Sequence, residues 1–487
     1  MKYGVQINYK ILMYINSIFI SFLSVLMLIP IVVDLVSGSA NYKYFFMSAL
    51  SMGFVSGIII ISAKPDEKLN LNLKEAFFLI PTCWMTISFC AATPFMVSGF
   101  SLTDSLFEIV SSLTTTGATV FPNKMIDFSK GMQIWCAILQ WFGGIGIIVM
   151  AMSVMPMLRI GGMQLLKMES ADRSDKLLPR ISQVARSIFG IYLFLTIIAM
   201  LLLQTAGMNV FDSVCHAMGS LSTGGISIWY SSVHHYHSIW IEFIMMFFML
   251  IGATPLFLFV KLWKGEWSAL WDDTQARSYY IIIAFSSIAI TFWLWNERGF
   301  DFFSALRHSL FNVVSISASA GYTSTEYMTW GGFPVLLLLF LSVMGGCTGS
   351  TAGGMKVFRL QVIYEIAKNQ IKQMLHPHGV FSPTYQNRNI SDAIVSSVLT
   401  YFVLWAVSFI FLSLSLAFFG VNFSTSIYTT LAMLSNLGLS FNDNLIITSN
   451  FSFFSEGPKW LMMAGMILGR LEFVTLFAVI SPSFWKD

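Results

Sequence analysis

The chain has 487 residues, of which 56% are hydrophobic and only 10% are charged, and its formal net charge is +3. With a mean hydropathy of +0.72, this composition excludes a soluble globular domain and indicates a polytopic membrane protein. The small net charge gives no reason to expect a nucleic-acid partner. The five cysteines are scattered without CxxC spacing, which predicts buried free thiols rather than a disulfide framework.

Ten apolar segments are candidate membrane spans. They cover 11–33, 44–63, 76–99, 132–157, 187–206, 238–261, 278–296, 332–365, 394–419 and 458–481. The leading sequence MKYGVQINYK runs into the first segment without a small-residue cleavage site. That segment is therefore predicted to be a retained helix and not a signal peptide.

The basic residues predict the orientation of the chain. With the N-terminus inside, 20 of the 27 Lys and Arg residues fall on the inner side and six on the outer side. Because basic residues concentrate on the cytoplasmic side of membrane proteins, both termini are predicted to be cytoplasmic. The remaining basic residue, Arg470, falls inside a span. The mixed charges of 167–176 predict a solvated inner face with room to dock a partner.

Four outer connections share one pattern, in which an amphipathic stretch too short to span the membrane leads into a small polar segment with a glycine. The first is SLTDSLFEIVSSLTTTGATVF, from Ser101, and the other three begin at Phe211, Asp301 and Phe423. Aligned on one glycine each, they define a fourfold internal repeat of span, half-helix, loop and span, preceded by two further spans. The aligned glycines are Gly117, Gly224, Gly321 and Gly438.

The repeat predicts an all-α polytopic membrane protein in which four repeats surround one pore. It divides the chain into five units: a two-helix unit (1–70), pore repeat 1 (71–160), pore repeat 2 with the cytosolic segment before it (161–265), pore repeat 3 with an intramembrane loop and a cytosolic helix (266–390), and pore repeat 4 (391–487).

The chemistry that fits such a repeat is cation conduction. A re-entrant half-helix is tolerated only where protein or water surrounds it, and glycine lets the following loop approach a ligand closely. Backbone carbonyls aimed at the axis can replace the water shell of K⁺, and the C-terminal ends of the half-helices add partial negative charge. The predicted K⁺ filter consists of Thr115, Thr116, Gly117, Thr223, Gly224, Ala320, Gly321, Leu437 and Gly438. Glu108, His216 and His308 are predicted to brace the half-helices.

The loop segments TTTGAT, STGG, SAGYT and SNLG resemble the four filter loops of the TrkH/KtrB/HKT superfamily of K⁺ transporters. The resemblance covers the whole chain, and the two leading spans, GGCTGSTAGGMK and LGRLE, are similar to the TrkH branch. One departure stands in the fourth loop, which has Gly438-Leu439-Ser440 where relatives often carry Gly-Pro-Gly.

The resemblance implies a K⁺ uptake protein of the bacterial cell inner membrane. It also implies a homodimer in which each protomer has its own pore, and a cytosolic TrkA-like nucleotide-binding ring that gates it. K⁺ is the transported ion, membrane lipid surrounds the spans, and no organic cofactor is expected on the chain.

A second stretch, GGCTGSTAGG, interrupts an apolar helix at membrane depth. The twelve apolar residues before it rise only ~18 Å, whereas the hydrocarbon core is ~30 Å thick. Unwound backbone at that depth must line water or meet a partner group, and the five guanidinium donors of Arg470 suit the loop carbonyls or Glu472. The predicted gate consists of Gly345, Gly346, Cys347, Thr348, Gly349, Ser350, Thr351, Ala352, Gly353, Gly354 and Arg470.

Two alternatives of the same fold stay open, a Na⁺-permeable pore and an H⁺-coupled K⁺ symporter. Gly117 argues against the first, since serine at this position accompanies Na⁺ transport in the plant branch of the superfamily. A membrane-embedded enzyme would need titratable residues converging at membrane depth. The sequence has no HExxH motif, no serine–base pair and no carboxylate dyad in its spans, so we expect no enzyme.

Overall fold

The computed structural model describes residues 7–65, 71–121, 127–153, 177–229, 231–386, 388–441, 447–448, 450–471 and 473–486. These residues are almost entirely helical, with two short antiparallel hairpins as the strands of the described ranges. The charge run 167–176 and Glu472 lie outside the described residues.

The N-terminal unit packs on the first repeat through a buried carboxylate. Asp34, near the end of the first span, accepts hydrogen bonds from the Ser129 hydroxyl at 3.0 Å and from the Gly131 backbone N–H at 2.7 Å. This joins the unit to the start of the second span of repeat 1. The helices are α1 (Tyr9–Leu26), α2 (Leu28–Val36) and α3 (Tyr42–Ser62) in the unit, and α4 (Leu73–Val97), α5 (Leu102–Leu113) and α6 (Lys130–Ser153) in repeat 1.

The other three repeats follow the same order. Repeat 2 has α7 (Leu177–Thr205), α8 (Val210–Leu221), a 3₁₀ turn (Ser232–Tyr236), α9 (Ile239–Ala253), α10 (Leu256–Trp263) and α11 (Ala269–Asp272). Repeat 3 has α12 (Thr274–Glu297), α13 (Phe302–Ser317), a 3₁₀ turn (Tyr327–Trp330), α14 (Gly332–Met344) and α15 (Val357–Leu375), then β1 (Thr384–Tyr385) and β2 (Arg388–Asn389). Repeat 4 has α16 (Asp392–Phe418), α17 (Phe423–Leu434), β3 (Ser440–Phe441), β4 (Ile447–Thr448), α18 (Glu456–Leu471), α19 (Phe473–Ile480) and α20 (Pro482–Lys486).

The half-helices α5, α8, α13 and α17 are held inside the protein, and most of their side chains are buried. Three of them begin with a side-chain cap, in which Ser101, Asn209 or Asp301 accepts a backbone N–H of the first turn. Such caps satisfy donors that a helix start otherwise leaves unpaired. The amphipathic stretches therefore form short helices that end inside the protein, as the repeat predicts.

Seven described helices are long and apolar enough to span a membrane, and two bent pairs bring the number to nine. The predicted span 332–365 is not one helix, because α14 has 13 residues and covers only ~20 Å. The predicted span 238–261 is also broken, with α9 and α10 meeting at 99°. Pro255 stands at that break and cannot continue a helix from the residue before it. The all-α fold class is confirmed, whereas the count of ten spans is not.

Candidate ion pathway

All four half-helices end in the same hydrogen-bonded turn. After the C-cap, one residue takes the left-handed conformation, with φ between 52° and 59°, in Thr115, Thr223, Ser319 and Asn436. The next N–H reaches back to a carbonyl five residues earlier, in the pairs Thr116–Ser111, Gly224–Gly219, Ala320–Ser315 and Leu437–Ala432, at 2.8–3.0 Å. This is a Schellman motif, which normally has glycine at the left-handed position. Because non-glycine residues rarely adopt this conformation, its occurrence at two threonines, a serine and an asparagine marks a geometry imposed by the surrounding structure.

The shared turn corrects the register of the second loop. Gly224 occupies the position of Thr116 and Ala320, so the residue equivalent to Gly117 is Gly225 and not the predicted Gly224. Gly225 has φ 72°, close to 82° at Gly117. The prediction was wrong by one residue because the sequence STGG offers two adjacent glycines with nothing to choose between them.

The loops contact one another in order. A side chain added to Gly117 in the first loop would meet the carbonyl oxygen of Gly224 in the second. A side chain added to Gly225 in the second loop would meet the carbonyl oxygen of Ala320 in the third. At both positions a positive φ and a neighbouring backbone exclude every residue but glycine.

The third loop contacts the fourth, and the fourth loop contacts the first. A side chain on Gly321 would lie 3.4 Å from the Leu437 side chain and 3.6 Å from that of Leu439. A side chain on Gly438 would meet the carbonyl oxygen of Thr116 in the first loop. The four loops therefore form a closed ring. The predicted filter residues that contact a neighbouring loop in it are Thr116, Gly117, Gly224, Ala320, Gly321, Leu437 and Gly438.

The fourth quarter of the ring has a different backbone. The N–H of Leu439 donates to the carbonyl oxygen of Leu437 at 2.9 Å, which closes a tight turn over Gly438. The φ of Gly438 lies outside the left-handed region in which Gly117, Gly225 and Gly321 are found. The fourth loop thus differs from the family pattern at Gly438-Leu439-Ser440, and at the same place the Leu437 carbonyl accepts a hydrogen bond from its own loop.

Side-chain hydroxyl groups donate hydrogen bonds to loop carbonyls just after the filter glycines. The Ser111 hydroxyl donates to the carbonyl of Ala118 at 2.6 Å, and the Ser315 hydroxyl donates to the carbonyl of Tyr322 at 2.7 Å. In the second repeat Gly219 replaces this serine, and the Tyr322 hydroxyl of the neighbouring loop donates to Ile226 at 3.2 Å instead. Sequence reasoning missed Tyr322, because its partner is 96 residues away.

The shared register also relates four buried side chains one turn before the Schellman motif, namely Glu108, His216, Asn312 and Thr429. Glu108 accepts from the Thr119 hydroxyl at 2.8 Å and from the Val120 N–H at 3.3 Å. The Asn312 amide donates to the Ser324 hydroxyl at 2.9 Å. Glu108 and Asn312 therefore contact the descending part of their own loop, whereas the ring of His216 bonds the Asp212 carbonyl of its own helix.

The predicted gate segment 345–354, called the gate loop below, meets the break between α9 and α10. The N–H of Cys347 donates to Ala253 at 2.9 Å, and that of Thr351 donates to Gly252 at 3.0 Å. In return, Leu256 donates to the carbonyl of Gly349 at 3.1 Å. Two interrupted helices thus satisfy each other's backbone groups at a depth where unpaired groups are costly.

The gate loop also touches the filter. The Thr351 hydroxyl donates to the carbonyl of Leu221, the last residue of α8, at 2.9 Å and lies 3.2 Å from the Thr223 hydroxyl. A side chain on Gly353 would meet the carbonyl of Ser435, which caps α17. The loop therefore lies directly beneath the ring of filter loops.

Arg470 joins three repeats at this level. Its guanidinium, with a residue exposure of 4%, donates to the carbonyl of Thr351 at 2.8 Å and to that of Gly143 at 3.1 Å. Gly143 packs against the carbonyl of Leu113, the last residue of α5, and the C-terminal end of a helix favours a cation. The predicted pairing of Arg470 with a carbonyl of the gate loop is present, and the bond to Gly143 was not predicted.

The sequence profile of the cation transport proteins named TrkH matches residues 47–486. The chain belongs to the TrkH family. It is 34% identical over 473 residues to the Trk system potassium uptake protein TrkI of Halomonas elongata, with 96% of this chain and 94% of that protein covered. It is 32% identical over 475 residues to the Trk system potassium uptake protein TrkH of Escherichia coli K12, with 95% and 96% covered.

The crystal structure of the potassium transporter TrkH from Vibrio parahaemolyticus superposes with a TM-score of 0.90 at 28% identity. The match covers 99% of this chain and all of that one. Membership of the TrkH family confirms the resemblance seen in the filter segments. Since the family transports cations, the expectation that the chain is not an enzyme is also confirmed.

Proposed function

We propose that this chain takes up K⁺ through a selective pore lined by the four filter loops. The observation that carries the proposal is the closed ring, in which each filter glycine faces the backbone or side chains of the next loop. A ring of backbone carbonyls is the known means by which proteins replace the hydration shell of K⁺. The relatives named as Trk system potassium uptake proteins support K⁺ as the ion.

The test is flux of K⁺ or Rb⁺ into liposomes that contain the purified protein, followed by reversal potentials in K⁺, Na⁺ and pH gradients. A K⁺-selective pore gives a potential that follows the K⁺ gradient. A potential that follows the pH gradient would assign the chain to H⁺-coupled symport. Absence of K⁺ flux from correctly folded protein would overturn the proposal.

A Na⁺-permeable pore is the second candidate, because of the fourth quarter of the ring. There the Leu437 carbonyl accepts the Leu439 N–H, so fewer carbonyl lone pairs remain for a dehydrated ion. The K⁺/Na⁺ permeability ratio from the same recordings separates the two candidates.

We further propose that the gate loop and Arg470 close the pore beneath the filter, and that a cytosolic TrkA-like nucleotide-binding ring opens it by moving α15. The contacts of Thr351 with α8, α9 and Arg470 support a closing role. In this proposal the protein is a homodimer of the bacterial inner membrane with cytoplasmic termini, and its pore repeats follow the units predicted above. Co-purification of such a ring protein from native membranes in mild detergent tests the partner.

A further inference from the structure

The segment from α10 to α11, residues 256–272, turns out of the helix bundle and is called the tryptophan segment below. α10 is bent by 99° from α9, so it runs along the membrane plane when α9 crosses the membrane. α9 has 15 residues and places the bend ~22 Å from its outer end. In a hydrocarbon core ~30 Å thick, that depth lies in the inner half.

The segment presents tryptophan outward and aliphatic residues inward. Trp263, Trp267 and Trp271 are 70%, 78% and 68% exposed. On the opposite side Leu256 and Leu258 are buried against the bundle. Tryptophan, like tyrosine, is enriched at the boundary between hydrocarbon and lipid headgroups.

The outward face continues the lipid-facing surface of the spans. The Trp263 ring contacts Phe194 of α7, with centroids 5.2 Å apart, and Phe194 is 44% exposed. Further along the same span, Ile197 and Leu201 are also exposed. We propose that the tryptophan segment docks into the inner-leaflet interface of the bilayer and that its partner is zwitterionic phospholipid.

The charges of the segment select this class of lipid. Lys261 and Lys264 are balanced by Glu266 and Asp272. A segment that bound acidic headgroups would carry a cluster of basic residues without such acids. The mixed charges suit headgroups that carry both signs.

The docked segment is tied to the gate loop at both of its ends. At its start, the Leu256 N–H donates to the carbonyl of Gly349 at 3.1 Å. Just after its end, the Gln275 side-chain oxygen accepts from the Thr348 N–H at 3.0 Å. A shift of the segment with bilayer thickness therefore moves the backbone partners of the loop. This coupling rests on the gating role proposed above, whereas the docking does not.

Depth measurement tests the docking independently of transport. In a variant with its five native cysteines replaced, single cysteines at positions 263, 267 and 271 are labelled with a nitroxide in phosphatidylcholine liposomes. Collisions with oxygen should exceed those with a water-soluble nickel chelate at all three positions. Val380→Cys is the control, since Val380 is 95% exposed in the connection that follows α15, and it should collide with nickel. Nickel accessibility at the tryptophan positions equal to that of the control would overturn the docking and indicate a solvent-facing surface.

Flux in liposomes of increasing acyl-chain length tests the coupling. Wild-type K⁺ flux should change several-fold across the series, and a variant with Trp263, Trp267 and Trp271 all replaced by alanine should lose that dependence. Trp240→Ala is the matched control, since Trp240 is 72% exposed at the outer end of α9. Equal thickness dependence in the triple variant and wild type would overturn the coupling. Absence of K⁺ flux in every lipid would instead overturn the proposed function.

Discussion

Arg470 donates a hydrogen bond to the backbone carbonyl of Thr351 at 2.8 Å, across 119 residues of sequence. A buried cation thus holds the middle of the gate loop from the last span of the fourth repeat. Because a bond with a charged donor contributes about 1.5–3 kcal/mol, this contact is strong enough to influence the balance between a closed and an open loop.

Replacement of Arg470 should therefore raise transport in the absence of any partner. We expect Arg470→Ala to increase K⁺ flux into liposomes about tenfold, the change that ~1.4 kcal/mol produces, with the K⁺/Na⁺ ratio nearly unchanged. Lys459→Ala, at the outer end of the same helix, is the control. Flux no higher than wild type in folded, inserted Arg470→Ala would remove the gate from this position.

The corrected register predicts unequal effects at the two adjacent glycines of the second loop. Gly225→Ser should lower K⁺ preference over Na⁺ as strongly as Gly117→Ser, because both positions have positive φ and left-handed backbone costs a substituted residue ~1–2 kcal/mol. Gly224→Ser should be milder, since Gly224 lacks a positive φ and the nearest atoms that its side chain would meet belong to the Gln140 side chain and not to backbone. Gly321→Asp, which adds a charge beside the ion path, should block conduction. Permeability ratios from reversal potentials measure these effects, and equal ratios at positions 224 and 225 would contradict the register.

The fourth loop predicts a gain in selectivity. Leu439→Pro removes the N–H that occupies the carbonyl of Leu437, since proline has no backbone donor. The released carbonyl should raise the K⁺/Na⁺ permeability ratio. Leu439→Ala keeps the N–H and is the control, with an expected ratio close to that of wild type. A ratio that rises equally in both variants would point to side-chain volume and away from the carbonyl.

Glu108 should affect K⁺/Na⁺ selectivity because it holds residues 119 and 120 of the first loop in place. Glu108→Gln keeps one oxygen for the Thr119 hydroxyl and the Val120 N–H and should have a small effect. Glu108→Ala leaves both donors without this acceptor, a loss of about 1–3 kcal/mol, and should reduce the K⁺/Na⁺ ratio together with thermal stability. Equal behaviour of the two variants in both measurements would contradict this bracing role.

Asp34 predicts a stability effect that leaves the pore intact. Asp34→Ala removes the acceptor of the Ser129 hydroxyl and the Gly131 N–H, which should cost about 1–3 kcal/mol. The melting temperature in detergent should fall, while the K⁺/Na⁺ ratio of reconstituted protein stays at the wild-type value. A change in that ratio would show that the N-terminal unit also shapes the filter.

Local patterns predicted the half-helices well, since a short amphipathic stretch before a glycine has few other ways to satisfy its backbone in a membrane. The same patterns could not set the register of the second loop, which depends on the bond between Gly224 and Gly219. Pro255 was a local signal for a helix break, but the continuous hydropathy of 238–261 led to the prediction of a single span.

Only some of the long-range contacts could be predicted from the sequence. The predicted partners of Arg470, carbonyls of the loop or Glu472, followed from its five donors, which need acceptors when the side chain is buried. Its bond to Gly143 crosses 327 residues, and no local pattern could indicate it. The contacts between the four loops likewise could not be predicted from the sequence, because they depend on how the four repeats are arranged in space.

The exchange of backbone hydrogen bonds between the gate loop and the break at α9 and α10 has a consequence for opening. If the loop leaves, Ala253, Gly252 and Leu256 lose their partners, and water is the remaining source of hydrogen bonds at that depth. If the loop is the gate proposed above, its opening is therefore coupled to hydration, because water must replace these protein partners. A gate of this kind responds to osmotic pressure directly, because a lower water activity in the medium favours the closed, self-bonded arrangement.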